Sequence, residues 1–323
     1  MSAYHNELRV KAKQILLERT VEKSLEKKTS DMLCLLCRSN LATQPNSHII
    51  PKFLSKDIFS DLKEAYVTQA DEMDSKPQII YDTPKEDFII CPSCEKYFSV
   101  LETYVSTNPY QNLWSSEKQN EFNPIDSNHE FTLLECKATN PVIFNLFIYS
   151  IMWRIFISTN NFFKHIKVNH KTIEGLRKTL VAYKAEGLNQ LKVNSKSIKF
   201  PLHKSKYTIT TCEDFVNDRS YNIVGAVPAA NPYLILLSRF QLKISFTENK
   251  EQNYLSPVNN IVQSEDLIRI VKCSRTLWLK LKGQYQQAYN QSAYKYLIKN
   301  GRKAFDIEVF LNGRKHIRNK LPI

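Results

Sequence analysis

Two Cys-x-x-Cys pairs, Cys34-Leu-Leu-Cys37 and Cys91-Pro-Ser-Cys94, constrain this chain more than any other feature of it. Each pair lets two thiolates reach one ion from a tight turn. The second pair completes a tetrahedral four-sulfur shell, the ligand set that usually holds zinc. A full sulfur shell leaves no open coordination position, so zinc on Cys34, Cys37, Cys91 and Cys94 is structural. It closes a long loop, and inside that loop stands one histidine, His48, in the run Ser47-His48-Ile49-Ile50-Pro51-Lys52-Phe53.

The other cysteines bear on the compartment. Of 7 in the chain, Cys136, Cys212 and Cys273 fall outside the pairs and are widely spaced. An odd count without a paired framework points to a reducing environment. Met1 to Lys28 is charged throughout and lacks the apolar run of a signal peptide. The longest apolar stretch, Val142 to Ile157, is interrupted by Asn145 and Arg154, too short and too polar for a membrane span. The expectation is a cytoplasmic protein with no membrane partner. With 6 glycines in the chain and no cluster of them, a phosphate-cradling Gly-rich loop is excluded.

Periodicity predicts a mixed α+β protein in three parts: an N-terminal helix over 1–30, the zinc unit over 31–108 and an α/β accessory domain over 109–323. Glu7 to Lys28 places Leu8, Ala12, Ile15 and Leu16 on one helical face. His48 to Ile50 reads as a short strand ended by Pro51, and Lys52 to Glu64 as a helix. Tyr66 to Phe88 is a polar insertion with a hairpin near Gln78 to Tyr81, a candidate substrate-contacting loop or a variable surface loop. Phe88 to Ile90 is a strand that delivers Cys91, and a helix leaves from Cys94. Strand, cysteine turn and helix are the parts of a treble-clef ββα unit. Further on, Asn140-Pro141 opens a nearly all-apolar helix to about Ser158, and Thr172 to Glu186 forms another. Runs at 207–211, 221–227, 234–237 and 240–246 suggest a small antiparallel sheet. Gln263 to about Leu297 reads as helical.

The knuckle, Ser47-His48-Ile49-Ile50-Pro51, and Cys94-Glu95-Lys96-Tyr97-Phe98-Ser99-Val100-Leu101-Glu102 together resemble the HNH, or His-Me finger, endonucleases in their treble-clef zinc form. With Trp153-Arg154 in the later helix, the likeness is closer to bacterial HNH-like proteins, and it covers roughly the first half of the chain at most. The resemblance implies that His48 is the general base that activates water, a role suited to an imidazole. It implies that Glu95, just after the second pair, binds a catalytic Mg²⁺ or Mn²⁺. Family members commonly carry Asp or Glu directly before the histidine as a second ligand, whereas this chain has Ser47. Glu102 or a residue of the insertion then supplies the missing ligand. Alternatively Glu102 pairs with Arg154, and Glu95 merely complements the helix dipole. The implied activity is phosphodiester hydrolysis, with DNA as the substrate and phage defence or toxicity as the setting. The alternative class is a non-catalytic zinc-stabilised nucleic-acid-binding or adaptor protein. A protein partner that gates activity would fit either class.

Charge points to the same kind of partner. The formal net charge is +13, a surplus that favours polyanions, nucleic acid before membrane surfaces. From Leu267 onward basic residues outnumber acidic ones and tyrosines are interleaved. Lys52 and the C-terminal Arg302, Lys303, Arg314 and Lys315 are the candidate phosphate contacts, against the alternative of a solvated helix and tail.

Overall fold

A computed structural model describes residues 28–58, 65–67, 78–160, 162–163, 166–212, 224–227, 232–246 and 267–283. The expected N-terminal helix before Lys28, and Arg302, Lys303, Arg314 and Lys315, lie outside these residues. In chain order the first strands are β1 (Ser47–His48), β2 (Ala65–Val67), β3 (Gln78–Ile80) and β4 (Lys85–Glu86). Helix α1 (Pro92–Val105), strands β5 (Phe122–Ser127) and β6 (Phe131–Cys136), and helices α2 (Pro141–Ile157), α3 (His170–Ala182) and α4 (Leu188–Ser197) follow. The chain then forms β7 (Lys206–Cys212), β8 (Val224–Val227), β9 (Tyr233–Leu237), β10 (Phe240–Ser245), β11 (Arg269–Cys273) and a helix α5 over 275–283. The fold is mixed α+β.

Helix α2 sits at the centre. Asn140 keeps extended backbone and its Oδ1 accepts from Ile143 N at 3.1 Å, while Pro141 occupies a first-turn position that needs no N–H. Every residue from Ile143 to Ile157 is buried. A helix with no polar face must be covered all round. Helices α1, α3 and α4 pack against it. The sheet covers it as well: Phe156 meets Tyr233 with ring centroids 4.9 Å apart, and Tyr207 Oη donates to Asn145 Oδ1 at 2.8 Å. One buried cluster runs from Leu33 in the zinc unit through α2 to Ile270 in the sheet. No helix among the described residues is long and apolar enough to cross a membrane.

The sheet departs from expectation. It has seven strands in the order β5-β6-β11-β7-β10-β9-β8, antiparallel except where β11 runs parallel to β7. The predicted sheet was small and wholly antiparallel. Its two first strands are hard to read locally, because β5 contains Pro124 and a register shift between Pro124 and Asp126. A proline is tolerated there because β5 is an edge strand. Strand β11 was expected to be helical. Its short run Arg-Ile-Val-Lys-Cys is followed at once by true helix, and so brief an apolar run carries no decisive period. Its faces alternate as a strand's must: Ile270 joins the main core, whereas Val271 and Cys273 join Trp278 of α5 on the other side.

Two local expectations also need correction. Residues 87–90 form bends and not a strand, and Phe88 takes a positive φ of 55°. The turn after Pro51 is a 3-10 helix over Lys52–Ile58. The hairpin in the insertion pairs β2 with β3.

Candidate functional site

The two cysteine pairs are built by different local devices. Cys34 and Cys37 sit in a knuckle closed by a bridge between Leu33 and Leu41, with Cys34 N donating to Asn40 O at 2.8 Å. Arg38 completes the turn at a φ of 56°. Cys91 is the N-cap residue of α1, and Cys94 N and Glu95 N both donate to its carbonyl at 3.0 Å. Backbone bonds from Leu35 N to Ile89 O, 2.9 Å, and from Gln44 N to Ile90 O, 3.2 Å, lash the knuckle to the segment that delivers Cys91.

The four Sγ atoms lie within 4.8 Å of one another, and those of Cys37 and Cys91 are 3.8 Å apart. A zinc tetrahedron with Zn–S bonds of about 2.3 Å has sulfur–sulfur edges of about 3.8 Å. The cage therefore fits zinc. Among the described residues it is the only group of three or more His, Cys, Asp or Glu side chains close enough to share an ion.

Four thiolates at this spacing repel unless a cation neutralises them, and the sulfurs divide accordingly. Burial pushes the Cys34 thiol up, and the contact with Cys34 pushes Cys94 up. Hydrogen bonding from Cys34 drives Cys37 down and holds Cys91 at about 6. A bound divalent ion favours the thiolate at all four. Lys184, just beyond α3, responds to the same charge. Burial would lower its pKa, but the sulfurs of Cys94, Cys37 and Cys91 outweigh burial and raise it. A clamp holds the knuckle to α3: Glu174 receives Arg38 Nη2 at 2.7 Å and Arg177 Nη2 at 2.8 Å, and Arg177 Nη1 donates to Leu36 O at 2.7 Å.

Strand β1 lies beside this cage, antiparallel to β4, with Ser47 opposite Glu86 and His48 opposite Lys85. Glu86 is in turn bound by Thr159 at the end of α2, through N at 3.1 Å and Oγ1 at 2.7 Å. Successive strand side chains point to opposite faces. Ser47 is fully buried and its Oγ donates to Glu95 Oε2 at 2.5 Å. His48 turns the other way, with Nε2 3.4 Å from Asp82 Oδ1. That distance suits an ion pair, yet Nε2 is buried and makes no hydrogen bond, so the contact is electrostatic and not a directed bond. Asp82 is fixed by Thr83 N at 2.8 Å and Lys85 Nζ at 2.7 Å. Burial acts to raise its carboxyl, but Lys85, the Thr83 amide and His48 outweigh it and hold the pKa at about 2. The stability from this ionisation is present above the ordinary value of 3.8 and is lost as pH falls through about 2.

Arg154 connects these parts. It is 1% exposed. Its Nη1 donates to His48 O at 2.6 Å, its Nη2 meets Glu102 Oε1 at 2.8 Å, and its Nε donates to Ser150 O at 3.1 Å. The guanidinium also lies 4.9 Å from the centre of the Phe98 ring. The partner of Glu102 is thus Arg154. Glu95 contacts Ser47, and Glu102, Glu95 and His48 do not converge as a three-ligand group. Lys52 is exposed at the start of its 3-10 helix. The sequence pattern missed Asp82 and Lys184. Asp82 lies in the insertion already suspected of reaching the site, but no spacing rule singles it out, and Lys184 meets the cage only through the fold. No protein-family model, curated protein or solved structure matches the chain.

Purified protein should carry one zinc per chain by elemental analysis, and Cys34→Ser or Cys91→Ser should lose it together with local structure. Well-folded, zinc-free wild type would refute the cage. Arg154→Leu strands Glu102 and the His48 carbonyl, and urea unfolding should show a loss of about 3–5 kcal/mol.

Proposed function

We propose that the chain is a metal-dependent HNH-like endonuclease, built on a treble-clef zinc unit and acting on DNA. The observation that supports it most is the 2.5 Å contact between Ser47 on β1 and Glu95 in the first turn of α1. These are the two positions that the resemblance assigns to the catalytic ion, and they are neighbours although far apart in sequence. Glu95 Oε1 makes no hydrogen bond to a described residue. Mg²⁺ is commonly held by one or two carboxylates together with substrate phosphates, so a single half-buried carboxylate is compatible with it. Such an ion, when bound, polarises the scissile phosphate and stabilises the leaving oxygen.

The chain's own residues do the rest. The imidazole of His48, side chain 27% exposed, accepts a proton from the attacking water. With Nε2 turned to Asp82, Nδ1 is the accepting nitrogen, and the imidazolium that forms faces a carboxylate that stays ionised. Arg154 fixes the backbone of His48 through its carbonyl. Zinc holds the start of α1, and so Glu95, against β1.

Two observations favour the second reading, a non-catalytic nucleic-acid-binding or adaptor protein: His48 points to the face of β1 opposite Ser47 and Glu95, and the nearby carboxylates are already engaged. Ser47 occupies one oxygen of Glu95, and Arg154 takes Glu102, which leaves the site with few free ligand atoms. Cleavage of supercoiled DNA and of RNA, with and without Mn²⁺, separates the two. The nuclease reading expects divalent-dependent DNA cleavage. It expects His48→Ala to lower the rate by about 10²–10⁴ with zinc content and circular dichroism unchanged. Glu95→Ala should also fail, with partial rescue by excess Mn²⁺. Wild type that binds nucleic acid but cuts neither substrate with any divalent ion would favour the adaptor.

A further inference from the structure

A second polar site lies away from His48. A cavity of about 370 Å³ is lined by Tyr104 in the last turn of α1, Asn108 beyond it, Lys137, Thr139 and Asn140 before α2, and Lys192 and Lys196 on α4. Three of these are lysines and none is a carboxylate. Lys192 and Lys196 stand four residues apart on one helical face, and all three lysines are exposed. Tyr104 is buried, 5% exposed, and its hydroxyl accepts the Asn140 N–H at 2.6 Å. Its own proton is given to no described residue, so it remains a donor at the cavity. Burial raises its pKa against the lowering effect of that amide, which keeps the phenol protonated. Three cations and a buried hydroxyl donor without an opposing acid make a receptor for a phosphate group.

The surroundings decide what carries the phosphate. Over 187–212 the chain has five lysines, Lys192, Lys196, Lys199, Lys204 and Lys206, all exposed, and no acidic residue. Phe200, 39% exposed, sits beside Lys199. A run of cations that outlasts one cavity, with an exposed ring among them, matches a polyphosphate backbone with bases. We propose that α4 and the segment around Lys137 form a cradle for a nucleic-acid backbone, separate from the His48 site. Glu95 and Tyr104 are nine residues apart on α1, about 13 Å of rise and half a turn of rotation. The cradle therefore anchors nucleic acid beyond the phosphate that Glu95 would face. This deepens the reading that the chain acts on nucleic acid and rests on it.

The test is fluorescence anisotropy of the full chain with a labelled DNA duplex over a range of salt. Lys137→Gln/Lys192→Gln/Lys196→Gln should weaken binding about tenfold or more for unrelated sequences. It should also flatten the dependence of log K on log salt by about 2–3. Lys178→Glu, a charge reversal at an exposed position of α3, should change much less, and circular dichroism and zinc content should match wild type in every variant. Unchanged affinity and slope in the triple variant overturn the cradle. So does a wild type that binds no duplex. Millimolar inorganic phosphate that occupies the site without competing with duplex would make it a small-anion site instead. A wild type that binds through these lysines without cutting sinks the nuclease reading and leaves the cradle standing. Cleavage with undiminished binding in the triple variant does the reverse.

Discussion

The arrangement around His48 depends on one buried guanidinium. An isolated charge cannot be taken out of water at tolerable cost, so Arg154 in the last turn of α2 must be matched by groups that come to it. Glu102 comes from α1, the His48 carbonyl from β1, and the Ser150 carbonyl from α2 itself. Three elements distant in sequence are thereby fixed to one planar fork, whose donor directions are rigid. A lysine could supply the charge but not three bonds in fixed directions. The otherwise apolar α2 gives up burial energy at this position, and what it obtains is the placement of β1.

The cysteine cage supplies the complementary constraint. With an ion bound, it would cross-link the knuckle to the start of α1 across the loop that contains β1 and the insertion. Closing a loop of that order in the unfolded chain removes about 4 kcal/mol of entropy in a simple chain model. The insertion can then vary in length at small thermodynamic cost, because both its ends are held. At its base Asp82, Lys85 and Glu86 meet His48, one another's charges and Thr159. A segment pinned at Asp82, Lys85 and Glu86 presents a carboxylate to the histidine from outside the core.

What could be read in the sequence follows from this division. The cage was legible because metal-ligand spacing is a local signal. Helix α2 was legible because Asn140-Pro141 is a start signal and the apolar run that follows has no polar face. The pairing of Arg154 with Glu102 was one of two readings, chosen only once α1 and α2 were seen to pack. Asp82 was invisible because its partner lies 34 residues upstream in the chain and no periodicity links them. The sheet was underestimated for a related reason: β6 and β11 are covered on both faces, so their apolar residues do not alternate cleanly with polar ones, and β11 takes its strand character from its neighbours β6 and β7.

Charge bookkeeping ties the interior to the surface. Several buried or half-buried anions have cations beside them: the sulfur cage has Lys184, Glu102 has Arg154, Glu174 has Arg38 and Arg177, and Asp82 has Lys85. These pairings are nearly neutral in sum, so they do not account for a net charge of +13. The surplus lies elsewhere in the chain. Among the described residues its densest stretch is 187–212, where five exposed lysines meet no acidic neighbour along the chain. Self-repulsion there costs folding stability, and a polyanion that neutralises it returns that cost as binding free energy while releasing counterions.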